Sequence, residues 1–169
     1  LCDCRRGLTG LEFKSSQLCL VRAFRAWGDL GQCLFTEECA KAGGGIVSFK
    51  PGTYVSGSIF LKNNVHLKID KGVLLLGSQS FDDYPEMQTR IAGIETSWPT
   101  ALINVINAKN VAVTGNGIVN ARGKFCWDKY WAMRKDYDTK GLRWIVDYDA
   151  KRVRTFLVQN SSDITLKGL

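Results

Sequence analysis

Residues 43–77 constrain the fold most, because short apolar segments alternate there with turns rich in Gly, Pro and Asn. Four strands are predicted, at residues 46–49, 58–61, 65–70 and 73–76. Residues 65–70 alternate apolar and polar, which places every second side chain on the same face of a strand. No helical period fits, and strands this short favour a sandwich, a barrel or a coiled β-solenoid.

A weak internal repeat favours the solenoid. Residues 63–67 align with residues 109–113 and with residues 162–166, and in each segment an Asn or Asp precedes an alternating strand. Repeats of this kind are typical of stacked coils. An Asn in such a turn hydrogen-bonds backbone groups that the next coil would leave unpaired. A chance match within an ordinary β-sandwich is the alternative.

Two longer segments interrupt the pattern. Residues 78–100 are polar, without a period, and are predicted to form a loop excursion. Residues 122–154 form a second excursion, rich in Trp, Tyr, Lys and Arg, with a helical stretch at residues 125–137. Further strands are predicted around the excursions, at residues 101–106, 111–113, 118–120, 155–158 and 164–166.

The N-terminal region differs from the rest. Residues 1–36 are treated as an atypical segment without a sustained period, with a short helix predicted around residues 18–27. Residues 37–42 are predicted to be the last turns of a helix, which Gly43 ends in a left-handed cap. The β domain is assigned to residues 37–169.

The formal net charge of +7 favours an anionic partner: acidic polysaccharide, nucleic acid or an anionic membrane. A basic surface without a partner is the alternative. No nucleic-acid-binding motif accompanies the charge, and no apolar run approaches the roughly 20 residues that cross a bilayer. Neither nucleic acid nor membrane is therefore predicted as a partner, and no signal peptide is visible.

The cysteines predict neither a metal site nor a disulfide framework. The pair Cys2-x-Cys4 is too tight for a zinc knuckle, and no His lies nearby. No metal and no cofactor is predicted. The six cysteines are Cys2, Cys4, Cys19, Cys33, Cys39 and Cys126.

Several short runs, taken in order, resemble glycoside hydrolase family 28, the polygalacturonase-like pectin hydrolases. The opening runs are Glu38-Cys39-Ala40-Lys41-Ala42-Gly43-Gly44-Gly45, Pro51-Gly52-Thr53-Tyr54, Leu61-Lys62-Asn63-Asn64-Val65 and Gly72-Val73-Leu74-Leu75-Leu76-Gly77-Ser78. The later runs, which resemble the bacterial branch, are Trp127-Asp128-Lys129-Tyr130-Trp131 and Lys140-Gly141-Leu142-Arg143-Trp144. The resemblance covers residues 37–169.

The resemblance implies an all-β chain, namely the N-terminal coils of a right-handed parallel β-helix. It also implies hydrolysis of the α-1,4-galacturonosyl bonds of polygalacturonate by inversion, without metal, in a secreted or periplasmic enzyme. Inversion needs two carboxyl groups about 6.5–9.5 Å apart. The family supplies its catalytic groups from Asn-Thr-Asp, Asp-Asp and Gly-His-Gly motifs, and an Arg-Ile-Lys motif binds the substrate carboxylate.

None of these motifs can be placed on this sequence. The neighbours of Asp82-Asp83 differ from those of the family's acid pair, and His66 lacks flanking glycines. No catalytic residue is therefore predicted, and we expect the chain to be a fragment that is inactive alone. A non-catalytic β-helical module that binds acidic polysaccharide is the alternative. Residues 1–36 lack the family's usual capping segment, which suggests a shifted reading frame or a truncated gene.

The excursion at residues 122–154 is the candidate for substrate binding. It carries ten basic and five acidic residues, with six Trp and Tyr side chains interleaved. Aromatic faces stack on sugar rings, and cations attract uronate carboxylates. Trp131, Arg143 and Trp144 are the predicted binding residues. The alternative is a capping flap whose aromatic side chains cover the side of the solenoid. The sequence leaves the oligomeric state open.

Overall fold

The computed structural model describes residues 18–20 and 34–169, with side chains from residue 36 onward. The strands are β1 Leu18–Leu20, β2 Gly45–Ser48, β3 Gly52–Ser56, β4 Ile59–Leu61, β5 Val65–Lys68, β6 Val73–Gly77, β7 Glu86–Ile91, β8 Ile94–Pro99, β9 Ile103–Ile106, β10 Lys109–Thr114, β11 Ile118–Asn120, β12 Phe156–Gln159 and β13 Ser162–Lys167. The α-helices are α1 Leu34–Lys41, α2 Lys124–Thr139 and α3 Val146–Asp149, and a 3-10 helix spans Phe81–Asp83.

The chain forms three parallel sheets by following the same path repeatedly. Sheet A has the order β1-β2-β5-β10-β13, sheet B pairs β3 with β6 and β6 with β11, and sheet C pairs β4 with β9 and β9 with β12. From β2 onward the chain visits A, B and C in turn, and each circuit pairs in parallel with the one before it. This is the parallel β-helix that the sequence predicts, right-handed as parallel crossovers almost always are.

The strand register follows the internal repeat. Val113 pairs with Leu67 on one side and with Leu166 on the other, and Val111 pairs with Ile164. The segments that align in the sequence are therefore neighbouring rungs of sheet A. Their apolar side chains line one column of the core, where Leu67 and Val113 are fully buried.

An Asn or Asp with a positive φ lies in the turn or at the strand start for β5, β10 and β13 of sheet A. Asn64, Asn110 and Asp163 all adopt a positive φ, between 57° and 60°. The Asn110 Nδ2 donates to Asn64 Oδ1 at 3.0 Å, and the Lys109 N–H donates to Asn63 Oδ1 at 2.8 Å. These bonds join one coil to the next, as the sequence predicts for asparagine in this turn.

Helix α1 ends on glycines, as predicted. Gly43 has a φ of +95° and donates its N–H to Ala40 O, while the Gly44 N–H donates to Cys39 O. This pair of bonds is the Schellman arrangement, which satisfies carbonyls at the end of a helix. The Thr36 hydroxyl donates to Phe60 O at 2.8 Å and so fastens the helix to strand β4.

Three predictions of secondary structure are wrong. Strand β3 follows Pro51 directly, because Gly52 with a φ of +158° stays extended and lets the strand resume at once. Leu18–Leu20 form a strand paired with β2 and not a helix, and residues 21–27 lie outside the described part of the chain.

The third correction concerns residues 78–100, which are not simply loop. Strands β7 and β8 form an antiparallel hairpin whose pairing runs from Glu86↔Pro99 to Ile91↔Ile94. Its two-residue turn is Ala92-Gly93, with φ values of 46° and 89°. Two positive φ values give the twist that suits a tight hairpin. Asn-Gly would have signalled this turn, whereas Ala-Gly does not.

The helical stretch predicted at residues 125–137 lies within α2. Within residues 18–20 and 34–169, none of the helices has the length and apolar character needed to span a membrane.

Candidate functional site

The excursion at residues 122–154 folds into α2 and α3 around a small core of its own. Tyr130, Val146 and Ala150 are buried together, with Met133 and Tyr137 packed against them. Cys126 is also buried, and this burial raises the pKa of its thiol. One face of α2 is therefore buried against α3, in a core separate from that of the coils.

Two tryptophans of the excursion are largely exposed. The Trp131 side chain is 53% exposed and the Trp144 side chain is 71% exposed. The Arg134 guanidinium lies 5.2 Å from the centre of the Trp131 ring, and the Arg143 guanidinium lies 5.0 Å from that of Trp144. Exposed aromatic faces flanked by cations suit an acidic sugar. We call these four residues the tryptophan–arginine pairs.

The structure associates two of the three predicted binding residues. Arg143 and Trp144 form one cation–π pair, while Trp131 is paired with Arg134, which the sequence argument did not select. Among the described residues, no ring contact joins Trp131 to Trp144. Whether these side chains bind substrate remains a prediction.

The hairpin of β7 and β8 is fastened to the second excursion. The Trp98 Nε1–H donates to Arg152 O at 2.8 Å, and the Lys151 ammonium forms an ion pair with Glu86. That ammonium lowers the pKa of the Glu86 carboxyl, which also accepts a bond from Ser97 Oγ at 2.8 Å. The two excursions therefore stand together beside sheet C.

A cleft of about 470 Å³ lies between this hairpin and β12. The hairpin contributes two charged side chains, Arg90 and Glu95, and the β12 segment contributes Arg154 and Gln159. Arg154 Nη2 and Gln159 Oε1 are buried, and neither has a hydrogen-bond partner among the described residues. Burial lowers the pKa of the Arg154 guanidinium. The sequence argument missed this cleft because it predicted a loop where the hairpin forms.

The candidate acids and the histidine are placed apart from the cleft. His66 lies in sheet A, with Nε2 at 2.6 Å from Thr114 Oγ1, and burial lowers the pKa of its imidazole. Asp82 and Asp83 lie in the 3-10 helix, where Ser80 Oγ accepts from the Asp82 N–H. None of these three residues lines the cleft. In the described part of the chain, no cluster of His, Cys, Asp and Glu is arranged to hold a metal.

Known proteins resemble this chain in sequence and in fold. An exo-poly-α-D-galacturonosidase of Dickeya chrysanthemi is 28% identical over an alignment of 116 residues, and the match covers 61% of this chain and 19% of that protein. An exopolygalacturonase of Thermotoga maritima superposes with a TM-score of 0.62 at 24% identity, over 80% of this chain and 35% of that one. A polygalacturonase of Erwinia carotovora superposes with a TM-score of 0.60 at 17% identity, over 93% and 42% of the two chains.

No protein-family model matches this chain. The chain spans about a fifth of the length of its curated relative and less than half of these two solved structures. The fold nevertheless places it in the class of right-handed parallel β-helices. Within that class, the resemblance to family 28 is confirmed as a similarity: the chain resembles an exo-poly-α-D-galacturonosidase in sequence and a family 28 exopolygalacturonase of Yersinia enterocolitica in fold.

Proposed function

We propose that this chain forms coils of a glycoside hydrolase that cleaves the α-1,4-galacturonosyl bonds of polygalacturonate by inversion. In this proposal the chain binds the acidic polysaccharide but does not hydrolyse it alone. The similarity to the Dickeya exo-poly-α-D-galacturonosidase carries the proposal. The formal net charge of +7 and the tryptophan–arginine pairs are consistent with an acidic polymer as the partner.

The physical basis of binding would be divided between two kinds of contact. The apolar face of a sugar ring packs on an exposed indole, and each uronate carboxylate is attracted by a nearby guanidinium. Trp131 and Trp144 offer the rings, and Arg134 and Arg143 offer the charges. Exposed charge pairs of this kind weaken as salt concentration rises, because mobile ions screen them.

The expectation that the chain alone does not hydrolyse polygalacturonate rests on the positions of its acidic residues. Inversion needs one carboxyl group to protonate the leaving oxygen and another to activate water from the opposite face. Asp82 and Asp83 are adjacent in the three-residue 3-10 helix and not on facing walls of the cleft. His66 is engaged with Thr114 in sheet A.

The second candidate function is a non-catalytic module that binds acidic polysaccharide. The same tryptophan–arginine pairs favour it, since they require no catalytic acid. The coding sequence beyond Leu169 separates the two candidates. Continuation into Asn-Thr-Asp, Asp-Asp and Gly-His-Gly motifs would support the hydrolase, and their absence would support the module.

Binding to polygalacturonate is the direct test. We expect the purified chain to be retarded in a gel that contains polygalacturonate but not in one that contains neutral galactan. Trp131→Ala and Trp144→Ala should each weaken this binding about three- to tenfold, through loss of about 0.5–1.5 kcal/mol of stacking. Leu142→Ala removes an exposed apolar side chain of the same segment and should leave it unchanged.

The same preparations distinguish a substrate-binding role of residues 122–154 from the capping-flap alternative. Tryptophan variants with lower thermal stability and unchanged affinity would support the flap and contradict a binding role. Release of reducing ends from polygalacturonate by the wild-type chain would contradict the expectation that it is inactive alone.

A further inference from the structure

Two residues that line the cleft between the hairpin and β12 each carry a polar atom with unmet hydrogen-bonding capacity. Arg154 Nη2 is a donor on a cation, and Gln159 Oε1 is an acceptor on a neutral amide, and both are buried without a partner in the described part of the chain. Leaving such groups unpaired costs about 1–3 kcal/mol each, and more for a charged one. Native proteins pair nearly all such atoms, so a ligand is a natural partner for these two.

The two atoms together define the chemistry of that ligand. A guanidinium N–H calls for an anionic acceptor such as a carboxylate, and an amide oxygen calls for a donor such as a hydroxyl group. A uronate sugar carries both on one ring. Leu157 and Val158 also line the cleft and offer an apolar surface for the C–H face of that ring.

The charges of the cleft leave one cation uncompensated. Arg90 is already countered by Glu95, with Arg90 Nε and Glu95 Oε1 4.0 Å apart. No carboxylate lies within ion-pair distance of Arg154 among residues 36–169. The backbone of Arg154 is held in place, since its carbonyl accepts the Leu102 N–H at 2.9 Å.

The walls of the cleft are held in place before any ligand arrives. The Lys151–Glu86 ion pair and the Trp98–Arg152 hydrogen bond join the hairpin to the segment that leads into β12. Strand β12 in turn pairs with β9 over its whole length. A site held in this way loses little entropy when a ligand binds.

The geometry points to this cleft as a binding site for a uronate residue, with Arg154 holding the carboxylate and Gln159 accepting from a ring hydroxyl. The inference rests on the proposed function, because it names where the acidic polysaccharide is recognised. It adds Arg154, which the sequence analysis did not select, to the residues proposed to bind the substrate carboxylates.

The test uses two probes of the same ring, D-galacturonate and D-galactose, measured by calorimetry on the full chain. We expect the wild-type chain to bind galacturonate and to bind galactose at least tenfold more weakly. Arg154→Met should lower the galacturonate affinity at least tenfold, the loss expected when a charge-assisted hydrogen bond is removed. Lys71→Met, which removes an exposed positive charge outside the cleft, should change the affinity less than twofold.

Thermal melting separates a ligand-binding role from a structural one. Because Arg154→Met removes a buried atom without a partner, the variant should melt at or above the wild-type temperature. A structural arginine would give a lower melting temperature, and that result would contradict the inference. Gln159→Leu is the second variant, and it should also weaken galacturonate binding without loss of stability.

The outcomes separate this inference from the proposed function. Unchanged galacturonate affinity in Arg154→Met, together with polygalacturonate binding by the wild-type chain, would overturn the cleft and leave the proposed function standing. Arg154-dependent binding of galacturonate without polygalacturonate binding would support the cleft and contradict the proposed function. Failure of the wild-type chain to bind galacturonate and polygalacturonate alike would overturn both.

Discussion

Gly115→Ala is expected to destabilise the chain by about 3–5 kcal/mol, since it combines backbone strain with overlap in a packed interior. Gly115 follows β10 with a φ of +136°, and a Cβ there would lie 2.0 Å from Ile69 O on the preceding coil. The obstructing atom belongs to the backbone, so relief requires two coils to separate. Denaturant unfolding followed by circular dichroism measures the loss.

Gly93→Ala is the matched control for backbone strain. Gly93 has a φ of +89°, but a Cβ at this hairpin turn would meet nothing within 4 Å. Its cost should therefore be limited to the strain of a positive φ, about 1–2 kcal/mol. Equal losses in the two variants would show that coils are not in close contact at Gly115.

Leu67→Ala is expected to cost about 2–5 kcal/mol, the range for a buried leucine that leaves a cavity. Leu67 is 0% exposed and has a parallel neighbour on each side of β5, namely Val47 and Val113. Neither neighbour can move into the cavity without breaking the parallel pairing of its own strand. Urea unfolding of the variant and the wild-type chain gives the difference in free energy.

Leu166→Ala is the control for this substitution. Leu166 occupies the same column of sheet A, next to Val113, but is 47% exposed. Because truncation removes less buried surface there, its cost should stay at about 1 kcal/mol or less. An equal loss of stability in Leu166→Ala and Leu67→Ala would contradict the difference in burial between these two positions.

The coils could be predicted from the sequence because their signals are local. The alternation at residues 65–70 indicates a strand directly. The Asn or Asp that precedes each aligned segment likewise indicates a turn. The pairing of Val111 with Ile164 then follows from the alignment of the repeats. Strand β3 was missed because Pro51-Gly52 usually ends a strand, whereas here it only bends the chain between two sheets.

The cleft could not be predicted, because it depends on contacts between distant segments. Arg154 and Gln159 face a hairpin that is about 60 residues away in sequence. The hairpin itself has an uninformative Ala-Gly turn, and its position depends on Trp98 and Lys151. Composition did reveal the aromatic and basic character of residues 122–154, but not which side of α2 would be buried.

Amide hydrogen exchange on the full chain tests the stacking of the coils most directly. Strands β5 and β10 each have a parallel neighbour on both sides, whereas β13 is paired with β10 on one side. We expect the slowest exchange in β5 and β10, close to the rate set by global unfolding, and faster exchange in β13 and in the β7–β8 hairpin. Faster exchange in β5 and β10 than in the hairpin would contradict the stacked-coil account.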